Sequence, residues 1–474
     1  TCHIRVVFQV QQLFFPELFA FLQLRLPIDI SLKSCPSHAT LVPQILSEFT
    51  SWTNSHNDRC GHLDLHLVNK SDTSSYLGTA SRYSVKLGCC RFTCANGHPE
   101  ITLSDRNMQL GIPKEGIRAS DVVRTLEDLL IPHVPSVQAQ FSPRYRLAFS
   151  LLNEDAAVGG AASSWAIEDA IDGYLTPTLT ELSIVHNFTI ESQVQYHAPL
   201  AFEPSPGSRT VADSEWKGYE LDQDELKTFI NSAEWTLASS VNNDIVLHFI
   251  LFVPTHSRRP LWVLKPDGTR SSTNAFIIPQ WGGVAIEYLS ARDRAHPFAI
   301  FRSQLHSLLG VPSVPLNIAV KSDSVLSAWQ LDALLRRRGV ENTKGTIEAL
   351  NSIMKLADRI SNMPVRVDVR GDVLGALDAL DDVHTHRLSS ASLLSRSSEA
   401  LTLSSRAFFN PGMLAMLYFP VEHKYAVYTP LFAPVSVPLL VATIKEIRAW
   451  RQERRKKLGG DAKRDSGGEA STDN

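Results

Sequence analysis

The sequence predicts an α/β protein in which a mixed sheet flanked by helices is followed by a helical segment and one C-terminal transmembrane helix. Three observations predict it. Short runs with strand periodicity recur between His62 and Val320. From Ser322 to Phe408 apolar residues fall instead at helical spacing. Tyr425 to Ile444 then forms twenty residues without a charge, fenced by Lys424 and Lys445. At ~1.5 Å per residue that run reaches about 30 Å, the hydrocarbon thickness of a bilayer. The chain has 474 residues, 43% apolar and 20% charged, enough for one large core or two medium ones. A formal charge of −3 gives no support to a nucleic-acid partner, which would need a basic face.

The chain starts at Thr1 rather than Met, so a signal sequence or first membrane helix is expected upstream. Val6 to Leu26 is apolar but interrupted by Gln9, Gln11, Gln12, Glu17, Gln23 and Arg25, and is expected as strand and helix in a folded domain. His62 to Val68 and Tyr145 to Leu151 alternate apolar and polar residues, and Phe188, Ile190, Val194 and Tyr196 lie at even spacing. Ile245 to Val253 is apolar almost throughout, as for a central strand covered on both faces. Val284 to Leu289 and Leu316 to Val320 are further strands. Ile167, Ile171, Leu175, Leu179 and Leu182 make one helical stripe, with a cap expected at Ser163 or Ser164. Three helices follow, marked by Leu326, Trp329 and Leu334, by Ile347, Leu350, Ile353 and Ile360, and by Val373, Leu377 and Leu380. Gly339 and Pro364 are the expected breaks.

Topology follows from charge. Lys445, Arg448, Arg451, Arg454, Arg455, Lys456 and Lys457 follow the uncharged run, against Glu446 and Glu453. Basic flanks stay cytoplasmic, and Tyr425, Tyr428 and Trp450 suit the two interfaces. The expected layout is a luminal α/β domain over 1–321, a luminal helical segment over 322–423, a transmembrane helix over 424–445, and a cytosolic tail over 446–474, basic and then disordered. Pro430, Pro434 and Pro438 recur every four residues, so the missing donors lie near one side of the helix. Lipid cannot fill those notches, and other membrane helices are expected to pack there. A luminal bulk would expose the sequons Asn69-Lys-Ser71 and Asn187-Phe-Thr189 to glycosylation, although about two are expected by chance.

Catalytic chemistry is not signalled. GxSxG, HExxH, a Walker loop and GxGxxG are all missing from the sequence. His62, Asp64 and His66 would share one strand face, and Asp381-Asp382-Val-His384-Thr-His386 offers metal-capable groups, but exposed surface explains both. Arg336-Arg337-Arg338 reads as a solvated face or a contact for an acidic partner. Gln280-Trp281-Gly282-Gly283 permits a tight turn without supporting phosphate binding. The six cysteines, Cys2, Cys35, Cys60, Cys89, Cys90 and Cys94, are poorly spaced for zinc, which leaves luminal disulfides and unpaired structural thiols both open. No catalytic, metal or cofactor residue is assigned. A membrane-tethered luminal hydrolase or glycosyltransferase is the alternative reading.

Several stretches together resemble the PIG-S family, a subunit of the glycosylphosphatidylinositol (GPI) transamidase of the endoplasmic reticulum. They are Leu22-Gln-Leu-Arg-Leu26, Phe149-Ser-Leu-Leu-Asn153, Trp165-Ala-Ile-Glu-Asp-Ala170, Asn187-Phe-Thr with Gln-Val-Gln-Tyr196, Thr273-Asn-Ala-Phe276 leading to Trp281-Gly-Gly283, Val340-Glu-Asn342, Phe408-Phe-Asn-Pro411, Leu417-Tyr-Phe-Pro420, and the proline-marked helix from Tyr425. No one stretch is a strong motif, but their order is specific. Residues 35–140 match poorly, which makes 1–140 the weakly matched part of the domain. The resemblance implies a membrane helix near each end, the first upstream of Thr1, with a luminal domain between. It implies an accessory, non-catalytic subunit, since cleavage of the proprotein and transfer to the GPI ethanolamine belong to a caspase-like cysteine-protease subunit. It also implies multi-spanning partner subunits, the endoplasmic reticulum membrane, and a family sequon at Asn187.

Overall fold

Ile245–Val253 (β10) is apolar on both sides because both sides are covered, and it lies at the centre of the sheet that organises the chain. The computed structural model describes residues 24–35, 38–55, 62–69, 82–89, 100–112, 117–132, 136–158, 162, 165–211, 214–237, 244–286, 297–315, 318–321, 324–359, 367–411 and 421–464. The expectations for Val6 to Gln23, Cys2, Cys60, Cys90, Cys94, Ser163, Ser164 and Pro364 lie outside the described residues. Two units are distinguished, one of residues 1–349 and 373–404, the other of 350–372 and 405–474.

The first unit holds three mixed sheets. Sheet 1 has the order β14-β4-β5-β3-β1-β2, with β1 Leu26–Ser34, β2 Leu63–Asn69, β3 Arg82–Cys89, β4 Glu100–Ser104, β5 Asn107–Ile112 and β14 Ile318–Val320. β1 is parallel to β2 and β3, as a crossover through helix α1 (Leu41–Ser55) requires. β4 and β5 form a hairpin whose turn puts Asp105 at φ 52°. Ile28, Ile30 and Leu32 alternate onto one face and pack with Val42, Ile45 and Phe49 of α1 and Val122, Val123 and Leu126 of α2 (Ala119–Leu130).

Sheet 2 has the order β12-β13-β10-β6-β7, with β6 Arg144–Asn153, β7 Asn187–Gln195, β12 Ala275–Ile278 and β13 Gly282–Ile286. β13, β10, β6 and β7 are parallel, and only β12 is reversed. The crossover from β6 to β7 is α3, residues 167–182, which opens after Ala166 and carries a π-turn at Ile171–Leu175. One face is sealed by stacked rings: Phe149 lies 5.2 Å from Phe249 and 5.5 Å from Phe298 of helix α5 (Pro297–Leu309). The other face buries Ile250, Phe252 and Val284 against Phe229, Trp235 and the Leu221, Leu261 and Val263 side chains of sheet 3. Sheet 3 has the order β11-β9-β8, with β8 Ser205–Val211, β9 Ser214–Leu221 and β11 Leu261–Val263, and α4 (Gln223–Lys227) follows β9 under a complete Asp222/Glu225 capping box.

Helix α6 (Ala328–Arg359) corrects two expectations. Gly339 does not break it. A Cβ there would sit 2.7 Å from Leu393 Cγ of helix α8 (Ser390–Phe408), so the glycine lets two helices approach rather than ending one. Arg336 and Arg338 are buried, not solvated, because the start of α6 lies between two cores: Trp329 packs with sheet 1 and Leu334 with sheet 2. Arg336 donates to the Tyr83 hydroxyl (2.6 Å), which donates to Asp332 (2.8 Å), and Arg106 grips the same carboxylate through Nε (2.6 Å) and Nη2 (3.0 Å). Burial would raise Asp332, but these bonds outweigh it and hold it below the usual carboxylate range. Arg338 lies 4.6 Å over the Phe141 ring and pairs with Glu341.

The second unit is helical. Arg406, near the end of α8, forks onto Asp372 of α7 (Val367–Thr385), with Nε–Oδ2 at 2.8 Å. Helix α9 runs from Val421 to Arg464. It continues past Gly459, where the sequence suggests a disordered tail, because the Lys, Arg, Gln, Glu and Ala residues before that point propagate a nucleated helix well. Residues 465–474 lie outside the described residues.

Three imidazoles, those of His186, His248 and His306, make the first unit sensitive to acid. His186 sits among Phe141, Tyr145 and Phe188, with Nδ1 2.7 Å from the Ser142 carbonyl. His248 stacks on Trp281 at 4.4 Å. Burial pulls each of the three from 6.5 to about 4. The unfolded chain therefore binds more protons between those values, and stability is full above pH 6.5 and falls as pH drops toward 4. Each ring accounts for on the order of 3 kcal/mol over that window. His248→Phe keeps a ring on Trp281 that cannot protonate. It is expected to lose less unfolding free energy than wild type between about pH 7 and about pH 4, measured by urea denaturation. An equal loss would clear His248 of the effect.

Candidate functional site

In open α/β sheets, ligands bind beyond the carboxyl ends of parallel strands where neighbouring connections depart in opposite directions. Sheet 2 has such a point between β6 and β10, since β7 lies beyond β6 on one side and β13 beyond β10 on the other. The register brings Asn153 opposite Val253 at the mouth.

At that mouth the chain's own polar side chains bond to one another's loops. Asn153 Oδ1 accepts from the Ala162 amide (2.8 Å), and its Nδ2 donates to the Ala162 carbonyl (2.9 Å) and the Gln195 carbonyl (3.1 Å). Glu154 is 4% exposed. Its Oε2 accepts from the Thr255 amide at 2.8 Å, and its Oε1 pairs with Arg258, which also donates to Glu203 at 2.7 Å. The amide and both carboxylate oxygens are thus committed to holding three loops together. The arrangement is a clasp between strand ends, and it presents neither a nucleophile beside a base nor a set of converging ligands.

A second knot joins sheets 2 and 3. Asn274 adopts φ 49° and is fully buried. Its Oδ1 accepts from the Val263 amide (2.8 Å), and its Nδ2 donates to the Leu261 carbonyl (2.9 Å) and the Ile286 carbonyl (3.1 Å). The turn before β13 gives Gln280 a φ of 63°. Gly282 then runs against the His248 backbone and Gly283 against the Gln304 side chain, with no room for a Cβ at either. Gln304 Nε2 donates to the carbonyls of Phe276 (2.9 Å) and Val284 (3.1 Å). The Trp-Gly-Gly run therefore serves close packing.

The residues singled out from sequence are placed as follows. Asn187 opens β7, the edge strand of sheet 2, and is exposed together with Thr189. Asn69 ends β2 half-buried, and Ser71 of its sequon lies outside the described residues. On β2, His66 Nε2 lies 3.2 Å from Asp64, while His62 Nδ1 faces the Leu24 carbonyl at 3.4 Å, so the three are not brought to one point. His386, just past the end of α7, approaches Asp382 at 3.6 Å. Among the described residues no cluster of three or more His, Cys, Asp or Glu is spaced to hold a metal. Sequence reasoning missed Asn153, Glu154 and Asn274 as structural knots. The available signal was polar residues capping an apolar strand: Asn153 and Asn274 already stand in two of the stretches that carry the resemblance.

The remaining feature is α9. Residues Val427–Arg455 form a helix long and apolar enough to cross a membrane, and its apolar window is not buried. Val427, Leu431, Phe432, Val435, Leu439 and Leu440 are all exposed. Pro430, Pro434 and Pro438 lie within it, and each withdraws the donor that the carbonyl four residues earlier would use. Ser436 and Thr443 turn their hydroxyls back onto the carbonyls of Phe432 and Leu439, both at 2.7 Å.

Comparison with known proteins agrees with this architecture. The family described as phosphatidylinositol-glycan biosynthesis class S protein, PIG-S, matches residues 24–453. A mouse protein named GPI-anchor transamidase component PIGS is 35% identical over 335 residues, covering 66% of this chain and 58% of the relative. The human protein of that name is 34% identical over 334 residues, with the same coverage. The fission yeast GPI transamidase component PIG-S homolog is 32% identical over 328 residues, 67% of this chain and 56% of its own. The chain thus spans less than two thirds of the length of these curated relatives. With the family match running from just before β1 into α9, the chain belongs to the PIG-S family.

Proposed function

We propose that this chain is a non-catalytic accessory subunit of the GPI transamidase, supporting attachment of GPI anchors to proprotein C-termini by scaffolding the complex. The observation that carries the reading is the family match over residues 24–453, joined to an unburied helix fit to cross a membrane. In this reading the α/β unit lies in the lumen of the endoplasmic reticulum and the carboxyl end in the cytosol, as the basic residues after the span favour. Its partners are the caspase-like catalytic subunit and the multi-spanning subunits. Cleavage and transfer take place on the caspase-like subunit, and this chain supplies a surface of fixed shape. The clasp at Asn153 and Glu154 and the knot at Asn274 suit that task, since they tie strand ends and sheets together through buried polar bonds.

The three prolines supply the membrane contact. Replacing Pro430, Pro434 and Pro438 together with Leu fills the notches and restores the helix bonds, so insertion is kept while the mating surface is lost. Purified in mild detergent, the wild-type chain is expected to bring down multi-spanning and cysteine-protease-like subunits. The triple variant is expected to recover roughly tenfold less, about 1.4 kcal/mol. Equal recovery would remove the packing role.

A luminal Asn187 on an exposed strand edge is open to glycosylation. Asn187→Gln is expected to abolish a gel shift on N-glycosidase treatment that Asn69→Gln leaves in place. A shift as large in the Asn187→Gln variant as in wild type would reject the site.

A further inference from the structure

The first three turns of helix beyond the span, residues 445–455, sort their charges by face. With about 100° between successive residues, Lys445, Arg448, Arg451, Arg454 and Arg455 fall within about half of the circumference, while of the next two basic residues Lys456 lies just past its edge and Lys457 on the other side. Glu446 and Glu453 fall together on the opposite side. The first five basic residues and both glutamates are exposed. Setting topology would need only the number of basic residues near the span, not their arrangement. The gathering of the first five basic residues on one face indicates a directional electrostatic contact.

Depth identifies what it meets. Lys445 directly follows the uncharged run, and ten residues of helix put Arg455 about 15 Å further out. The headgroup layer occupies roughly the first 5–7 Å beyond the hydrocarbon. Lys445 and Arg448 stand inside it, and the long stems of Arg451 and Arg455 can reach back toward it. Ile444, Ile447 and Trp450 are exposed along the same stretch, as suits the boundary between acyl chains and headgroups. Arg454 differs from the others in lying 5.0 Å over the Trp450 ring at the margin of the face.

We propose that this face binds the headgroups of anionic phospholipids in the leaflet on the carboxyl side of the span. The bound chemistry is a lipid phosphate with net negative charge, held by guanidinium and ammonium groups. The proposal rests on the reading that α9 crosses the membrane with its carboxyl end in the cytosol.

The test keeps net charge constant. In one variant Glu446→Arg is combined with Arg448→Glu, and Glu453→Arg with Arg451→Glu, so the number of basic residues after the span is unchanged and only the face is broken. Wild-type complex and variant complex are placed in phosphatidylcholine nanodiscs carrying a trace of spin-labelled phosphatidylserine or spin-labelled phosphatidylcholine. Wild type is expected to hold the serine lipid roughly fivefold or more over the choline lipid, and the exchanged variant to show a preference near one. An equal preference in both proteins, or none in wild type, overturns the proposal. Loss of a co-purified subunit from the variant, with no lipid preference in wild type, also overturns it and assigns the face to an acidic protein. Membrane orientation is read separately, from a glycosylation tag fused to the carboxyl end: acquisition of a glycan there rejects the topology itself, whatever the lipid result.

Discussion

A helix that turns leucine, valine and phenylalanine outward on every side cannot be stable in water, and this one constraint organises the molecule. In α9 the side chains from Val427 to Ile444 have no core of their own to enter. Leaving such a surface in water would cost about 25 cal/mol for each Å² of apolar area. A bilayer removes the cost, provided that the backbone satisfies itself. The prolines break that condition at three places on one side, and the missing bonds then ask for protein neighbours. Length, exposure and proline spacing thus lead from chemistry to placement, and from placement to association.

The first unit answers a different demand. Its parallel strands make the kind of switch point that many α/β proteins use for ligands, and there Asn153 and Glu154 bond to neighbouring loops. The same economy recurs elsewhere. Tyr83, Arg106, Asp332 and Arg336 fasten α6 to sheet 1, and Asn274 fastens sheet 3 to sheet 2. Buried polar networks of this kind are costly if half satisfied and rigid if complete. The scaffolding role proposed above would gain from such rigidity.

The α/β class and the apolar terminal helix were legible in the sequence where the physics is local. β10 could be read because eight of its nine residues are apolar, which admits few alternatives, and β6 and β7 were located by their alternation, although β6 is buried on both faces and β7 is mostly exposed. Sheet 1 was mostly missed. Its β3 does alternate, with exposed Lys86 between buried Val85 and Leu87, so that signal was present and overlooked, whereas its β4–β5 hairpin turns on Asp105 and Arg106 rather than on the glycine that usually signals a tight turn. The arginine triplet misled because charge alone says solvent. Only long-range packing brings Tyr83 and Phe141 to those guanidiniums. Gly339 misled in the same way, since its partner Leu393 lies far away in sequence. The clasp at Asn153 and Glu154 was invisible for a related reason: its partners Ala162, Gln195, Thr255 and Arg258 converge only once the strands are side by side.

The orientation of α9 carries the account, and protease protection on sealed microsomes tests it most directly. The account predicts that added protease trims only the residues after the span and leaves the α/β unit intact until detergent opens the vesicle. Digestion of the α/β unit in closed vesicles, or a protected carboxyl end, would contradict it.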